Sequence, residues 1–287
     1  MVTIWLIRVI RWLFNNLAWL IGPKAASLAT ITDYDLNHIR LRAYRPTLEA
    51  DLPLIVFYHG GGWMIGGIAA YDRLCQALAV KSGCVVLSVE YRLAPEYPFP
   101  AAVDDALAAY IWAGENARSL GVNAKRMIVV GDSAGGNLAA VVTHAMGRTP
   151  NPPIGQILMY PVLDLRLPRD RGSRLYQRIF HRIFDVHRHH YLRNCELAED
   201  DRASPGLHVP ETLPPTCIIT AGRDILTEQA CEYVKRCNRI TQLVRWHHYK
   251  TAVHGFIQFA GVYSPAAEAL ELIAAFAQDI TAVQSKR

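Results

Sequence analysis

Four apolar residues, Met127 to Val130, run directly into Gly131-Asp132-Ser133-Ala134-Gly135, and a helical stretch from Ala134 to Met146 follows with no linker. A chain that passes from strand to helix across one residue turns through strained backbone, so its flanking positions must be small enough for close approach. Gly131 and Gly135 stand at those two flanks. The turn leaves Ser133 at the end of a strand and at the start of a helix, where free N–H groups and the helix dipole favour a developing negative charge. Gly-x-Ser-x-Gly runs arise often by chance, and the strand before and helix after give this one its specificity.

The same alternation extends along the chain. Leu54 to Tyr58, Cys84 to Val89, Met127 to Val130, Ile157 to Tyr160, Thr216 to Thr220 and Leu243 to His247 are short apolar runs, several rich in β-branched residues. This is the pattern of parallel strands covered on both faces. Helical stretches Ala70 to Ser82, Ala101 to Ser119, Ala134 to Met146, Glu228 to Arg239 and Pro265 to Val283 separate or follow them. The spacing predicts an α/β chain with a mostly parallel sheet and helices on both faces. Ile39, Leu41 and Ala43 alternate with Arg40, Arg42 and Tyr44 before Pro46, which predicts one half-exposed strand. With 51% apolar residues and no low-complexity tract, the 287 residues can fill one large core, and a single domain over 1–287 is expected.

Two segments fall outside the alternation. Residues 161–215 are too many for a simple crossover, and Leu175, Ile179, Ile183 and Val186 recur there at helical spacing. This predicts a cap inserted at about 165–205, joined by an N-terminal portion at about 1–30. In the first 21 residues, Leu6, Ile10, Leu13, Leu17 and Leu20 share one helical face, opposite Arg8, Arg11 and Asn15, with Trp5, Trp12 and Trp19 beside them. Three readings of residues 1–21 stay open: a helix packed in the protein's own cap, an interfacial membrane helix, and a signal peptide processed near Ala25-Ala26-Ser27.

Charge and cysteines narrow the classes further. The formal charge of +5 is local, because eight arginines between Arg166 and Arg193 face only Asp170 and Asp185, and the remaining chain sums to −1. That distribution, without a recognisable motif, argues against a nucleic-acid partner. Arg171, Arg174, Arg178 and Arg182 fall at near-helical spacing, as a solvated face, an anionic-lipid site or an attractor of acidic substrates. Cys75, Cys84, Cys195, Cys217, Cys231 and Cys237 form no Cys-x-x-Cys pair, so neither a metal site nor a disulfide framework is expected. A reducing, cytoplasmic compartment fits them, with membrane association through the N-terminal helix as the variant.

The run His59-Gly60-Gly61-Gly62-Trp63 closes another buried strand. Acyl transfer builds an oxyanion, and glycine backbones can bring free N–H groups close to it, so Gly61 and Gly62 are expected to donate together with Ala134. A serine hydroxyl is a weak nucleophile near neutral pH and needs a base whose tautomer is fixed by a third group. Asp224 follows the strand Thr216 to Thr220 through Ala-Gly-Arg, and His254 lies in Val-His-Gly-Phe beyond the strand Leu243 to His247. Most other histidines have plainer readings: His181, His187, His189 and His190 sit in the basic cap, and His247 and His248 belong to a strand or its end. Glu228, the nearest rival to Asp224, opens the next helix.

Together HGGGW, the run SVEYRLAPEYPFPAAVDDA from Ser88 to Ala106, GDSAG and His254-Gly255-Phe256 resemble the hormone-sensitive-lipase-like carboxylesterases of the α/β-hydrolase superfamily. The resemblance runs from about Ile39 to the C-terminus. It implies an α/β-hydrolase fold, hydrolysis of short to medium acyl esters through an acyl-enzyme, and no cofactor or metal. It implies the triad order Ser133, Asp224, His254, and the oxyanion donors Gly61, Gly62 and Ala134. Glu90, Arg92 and Glu96 read as scaffold residues that brace loops. The family usually carries proline after the acid, whereas Asp224 is followed by Ile225 and preceded by Arg223, a cation that could compete with His254. Tyr71, Phe180, Phe184 and Tyr191 are candidate pocket residues. The partner expected is a small ester; pairing of two copies stays open, as do an amide, formamide or deacetylation substrate and a non-catalytic receptor, against which the presence of His254 speaks.

Overall fold

The computed structural model describes residues 4–166, 175–241 and 243–284. Among these, eight strands form one sheet: β1 (Thr30–Leu36), β2 (Ile39–Arg45), β3 (Leu52–Tyr58), β4 (Val85–Glu90), β5 (Val122–Asp132), β6 (Gly155–Met159), β7 (Thr216–Arg223) and β8 (Val244–Val253). Their spatial order is β1-β2-β4-β3-β5-β6-β7-β8. Only the β1–β2 and β2–β4 pairs are antiparallel. The other pairs are parallel, so β3, β5, β7 and β8 all end at one edge of the sheet.

The helices are α1 (Ile4–Leu17), α2 (Ile68–Ser82), α3 (Ala101–Glu115), α4 (Ala117–Leu120), α5 (Ala134–Met146), α6 (Leu175–Leu192), α7 (Thr227–Cys237) and α8 (Ser264–Gln284). Alternation along β3 shows how they cover the sheet: Leu54, Val56 and Tyr58 pack toward α3 and α5, while Ile55 and Phe57 pack toward α2 and α8. All five are fully buried, which is why the strand reads as an unbroken apolar run. Burial of such side chains contributes roughly 2 kcal/mol each, and the central sheet is the stable platform on which the loops stand.

Three features differ from the sequence reading. The edge strand β1 was not foreseen, because Thr30, Thr32, Asp33 and Asp35 give it little apolar alternation; it is held by antiparallel pairing and by the Asp33–Arg42 ion pair. The stretch expected as one helix over 101–119 is broken at Asn116, and Gly121, in the left-handed region at φ 66°, ends its short second piece. Finally, β8 is not covered on both faces: it is the last strand of the sheet, and Trp246, His248 and Lys250 are exposed on its outer side.

Candidate active site

Ser133 sits between β5 and α5 with φ 54° and ψ −116°, an unusual conformation for a residue with a side chain. The surrounding structure holds it there. Its N–H donates to Met159 O at 2.9 Å, and its carbonyl accepts from Val162 N at 3.2 Å. The two flanking glycines are required by contact: a Cβ on Gly131 would lie 2.2 Å from Gly135 O, and one on Gly135 would lie 1.9 Å from Tyr58 O. The elbow therefore wedges against β3, and any larger residue at either flank would push the serine out of place.

The three sequence-predicted residues meet. Ser133 Oγ lies 2.8 Å from His254 Nε2, and His254 Nδ1 lies 2.7 Å from Asp224 Oδ2. A carboxylate can only accept, so Nδ1 carries the proton and Nε2 is left to accept from the serine hydroxyl. Asp224 has a fully buried side chain, and its second oxygen accepts from Leu226 N at 2.9 Å. Arg223, the feared competitor, is exposed and forms no ion pair with Asp224; the carboxylate turns inward while the guanidinium stays in solvent. Glu228 is exposed in the first turn of α7, away from this chain of bonds. Tyr160 and Phe180 flank the imidazole of His254 with ring centroids 4.9 and 4.7 Å away.

Gly61 and Gly62 lie in the loop after β3 with φ 115° and 60°. The Gly61 carbonyl accepts from Met64 N and Ile65 N, which curls the loop. The N–H groups of Gly61, Gly62 and Ala134 have no acceptor among the described residues. The loop is pinned from behind by His59, whose ring stacks on Tyr91 at 4.2 Å and whose carbonyl accepts from the Tyr91 hydroxyl. Burial pushes the His59 imidazole down to about 4, so it is neutral in the fold.

Sequence reasoning missed two residues of this site. Asp132, beside the serine, is buried and accepts from Gly60 N at 2.7 Å, Tyr71 Oη at 3.0 Å and Tyr160 Oη at 3.3 Å. It ties the elbow to the glycine loop. Burial raises its pKa to about 6, against the lowering effect of these donors and of His254. Its place beside the serine was visible; its partners 61 and 72 residues away were not. The second is His187 on α6, read from sequence as part of a bland basic cap. Its ring lies over the glycine loop, where a Cβ on Gly62 would sit 1.9 Å from Nδ1, and burial lowers its pKa to about 4, helped by His190 and His254.

These residues enclose a cavity of about 270 Å3. Its floor is Ser133, His254, Asp132 and the loop glycines, and its roof is apolar: Phe14 and Ile21 from the N-terminal segment, and Phe180, Ile183 and Phe184 from α6. Tyr71 lines it, as expected. Tyr191 does not; it is buried behind the wall, stacked on Trp63 at 4.1 Å with its edge toward Phe99. The roof is tied to the sheet edge by Arg11, which donates to Met64 O at 2.6 Å, to Ala94 O at 2.7 Å and to both carboxylate oxygens of Glu96 at 2.8 and 2.9 Å. Glu90 and Arg92 act in the same bracing manner, Glu90 paired with Arg40 and Arg92 forked onto Asp105. Of the cap arginines, Arg178 and Arg182 are exposed on α6, while Arg171 and Arg174 lie outside the described residues. Among the described residues no group of three or more histidine, cysteine or acidic side chains is placed to hold a metal ion.

Comparison with known proteins places the chain in a family. Residues 55–258 match the family model described as alpha/beta hydrolase fold. A carboxylesterase of Mycobacterium tuberculosis, NlhH, is 38% identical over 245 residues, covering 82% of this chain and 77% of that protein. An ethyl acetate hydrolase of Pseudomonas putida is 30% identical over 259 residues, covering 88% and 81%. Among solved structures, the thermophilic carboxylesterase EstE1, cloned from a metagenomic library, superimposes with a TM-score of 0.87 at 33% identity over 96% of this chain and 97% of that one. The chain belongs to the α/β-hydrolase fold family, in its hormone-sensitive-lipase-like group.

Proposed function

We propose that the chain is a serine carboxylesterase acting on small esters of short to medium acyl chains. The observation that carries this reading is the unbroken series of hydrogen bonds from Ser133 Oγ through His254 to the buried Asp224, opening into an apolar cavity. Ser133 attacks the ester carbonyl while His254 Nε2 takes the hydroxyl proton, and Asp224 stabilises the imidazolium through Nδ1–H. The tetrahedral oxyanion is held by the N–H groups of Gly61, Gly62 and Ala134, which have no competing acceptor among the described residues. Collapse expels the alcohol with the proton from His254, leaving an acyl-serine. Water then attacks that acyl group, with His254 again as base, and the acid product leaves with Ser133 restored.

Substrate size follows from the cavity. Its volume of about 270 Å3 and its apolar roof suit a small ester with an apolar acyl chain. The segments at about 1–30 and 165–205 act together as the cap: the first supplies Phe14 and Ile21, the second α6, and both rest on the loop that follows β4. All six cysteines are free, and four are buried as single thiols, which supports a reducing, cytoplasmic setting.

The test is turnover of nitrophenyl acetate and butyrate by the parent and by Ser133→Ala. Turnover is expected to fall by several orders of magnitude in the variant; parental rates in Ser133→Ala would refute the assignment. A matched anilide measured beside the ester separates esterase from amidase action, and faster anilide cleavage would overturn the bond proposed here.

A further inference from the structure

The N-terminal helix turns only a narrow side inward. Ile7, Arg11, Phe14 and Ala18 face the protein, fixed by the four bonds of Arg11, whereas Leu6, Ile10, Leu13, Leu17 and Leu20 face solvent. Trp5 is 71% exposed, Trp12 62% and Trp19 54%. Apolar surface of this extent on one helix is uncommon in a monomeric chain and marks a docking surface. The helix is held through Ile7, Arg11, Phe14 and Ala18, and its leucine stripe and tryptophans stay exposed.

The patch continues beyond the helix. Gly261 N donates to Ile21 O, which brings exposed Val262 and Phe259 beside the end of the N-terminal segment. On α6, Ile179, Ile183 and Val186 are exposed at helical spacing. The C-terminal end of α6 rests on the loop that Arg11 grips: Phe99 N donates to Tyr191 O and Arg193 donates to Pro95 O. Ile183 and Phe259 are half-exposed and also line the cavity, so the cavity opens within this apolar surface.

The charge around the patch selects its occupant. Residues 4–17 contain no acidic residue, and Arg8, Arg178 and Arg182 are exposed beside the apolar stripes. The one acidic residue of α6, Asp185, lies 3.6 Å from Arg188 and 3.9 Å from His181. In a two-fold pair of copies the same patch would face itself, so a surface carrying exposed Arg8, Arg178 and Arg182 with Asp185 as its one acidic residue would meet another of the same positive sign. Tryptophan beside arginine at the rim of an apolar stripe instead matches a headgroup layer above acyl chains. Among the described residues no helix is long and apolar enough to cross a membrane. We propose that α1, α6 and the segment around Val262 form one face that lies on an anionic lipid bilayer and sets the opening of the catalytic cavity against it.

The experiment is flotation of the full chain with vesicles of phosphatidylcholine alone and of equal parts phosphatidylcholine and phosphatidylglycerol, with tryptophan emission recorded in parallel. The parent is expected to float with the anionic vesicles, to shift its emission to the blue, and to float less at high salt. Trp12→Glu combined with Leu13→Glu, neither of which lines the cavity, is expected to reduce the floated fraction more than about tenfold while the melting temperature and soluble-ester turnover stay near parental. Arg178→Glu with Arg182→Glu is expected to abolish the preference for anionic vesicles. A parent that stays unbound to both vesicles, or a Trp12/Leu13 variant that floats like the parent, would overturn the proposal. So would light scattering that shows a dimer for the parent and a monomer for that variant, since a second copy would then own the face. Ser133→Ala is expected to float like the parent, so failure of the esterase reading and failure of this surface are read separately.

Discussion

The floor and the roof of the cavity are built by opposite means. The floor is backbone: glycines that no side chain could replace, a serine at positive φ, and N–H groups with no acceptor among the described residues, all anchored to the buried ends of β3 and β5. The roof is side chain: aromatic and aliphatic groups from the N-terminal segment and α6, tied down by the bonds of Arg11, the stack of Tyr191 on Trp63 and the contacts of Tyr191 and Arg193 with the loop after β4. Chemistry that must hold a transition state to a fraction of an ångström sits on the rigid part. The roof shapes the space above the serine with apolar side chains.

If that division holds, damage to the floor costs most. His254→Ala should lower kcat by about 10^4 to 10^6, and Asp224→Asn by about 10^4, with KM for a short ester little changed. Steady-state kinetics on nitrophenyl butyrate would check both, and a comparable loss from the roof variant Phe180→Ala would break the comparison. One position probes the seam between the two. Gly62→Ala places a methyl against the His187 ring and into strained backbone, and a loss of about 10^2 to 10^3 in kcat is expected. Adding His187→Ala should restore part of that loss; no restoration would mean that the oxyanion loop fails through its own backbone and not through the roof.

Acid exposes both regions through buried histidines. His59 in the floor and His187 in the roof titrate near 4 when folded, against about 6.5 when unfolded, so the unfolded chain binds more protons between these values. Their contribution to stability is full above pH 6.5 and is lost as the pH falls toward 4; His144, lowered by burial in the same way, adds to it. Asp132 works in the other direction, because its folded pKa near 6 exceeds its unfolded value and costs stability as the pH rises through that window. Three histidines outweigh one carboxyl, so the denaturant midpoint should fall below pH 6. His187→Phe should flatten that slope by about one proton between pH 4.5 and 6.5. An unchanged slope would show that the roof has already opened before the floor unfolds.

The smallest effect belongs to the roof clamp. Arg11→Gln removes the fork onto Glu96, whose carboxyl that arginine holds below the usual range, and both partners are partly exposed. A stability loss of about 1–2 kcal/mol is expected, with KM raised a few-fold and kcat within about twofold. A fall in kcat beyond tenfold would place Arg11 with the floor.

The same division separates what could be read in the sequence from what could not. That Ser133, His254 and Asp224 meet, with Gly61 and Gly62 in the loop after β3, was legible because parallel strands end at one edge and the order of strands brings those ends together. The roof was legible as two helical segments but not as a surface. Amphipathicity over residues 1–21 shows that the helix has two faces; contacts distant in sequence, such as those of Arg11 with Met64, Ala94 and Glu96, decide that the side bearing Ile7, Arg11, Phe14 and Ala18 turns inward. Asp132 and His187 escaped for the same reason, since each is defined by partners distant in sequence. β1 escaped because cross-strand pairs, and not apolar alternation, hold it at the sheet's edge.

Covalent capture separates Ser133, the proposed nucleophile, from every other hydroxyl and thiol of the chain. A phosphonofluoridate probe should form one Ser133 Oγ–phosphorus bond with release of fluoride, and the fraction labelled by intact mass should match the fraction of ester turnover lost. Peptide mapping should place the adduct on Ser133, and His254→Ala should slow labelling by orders of magnitude. Ester turnover that continues with Ser133 fully labelled, or is lost with the label elsewhere, would contradict the account.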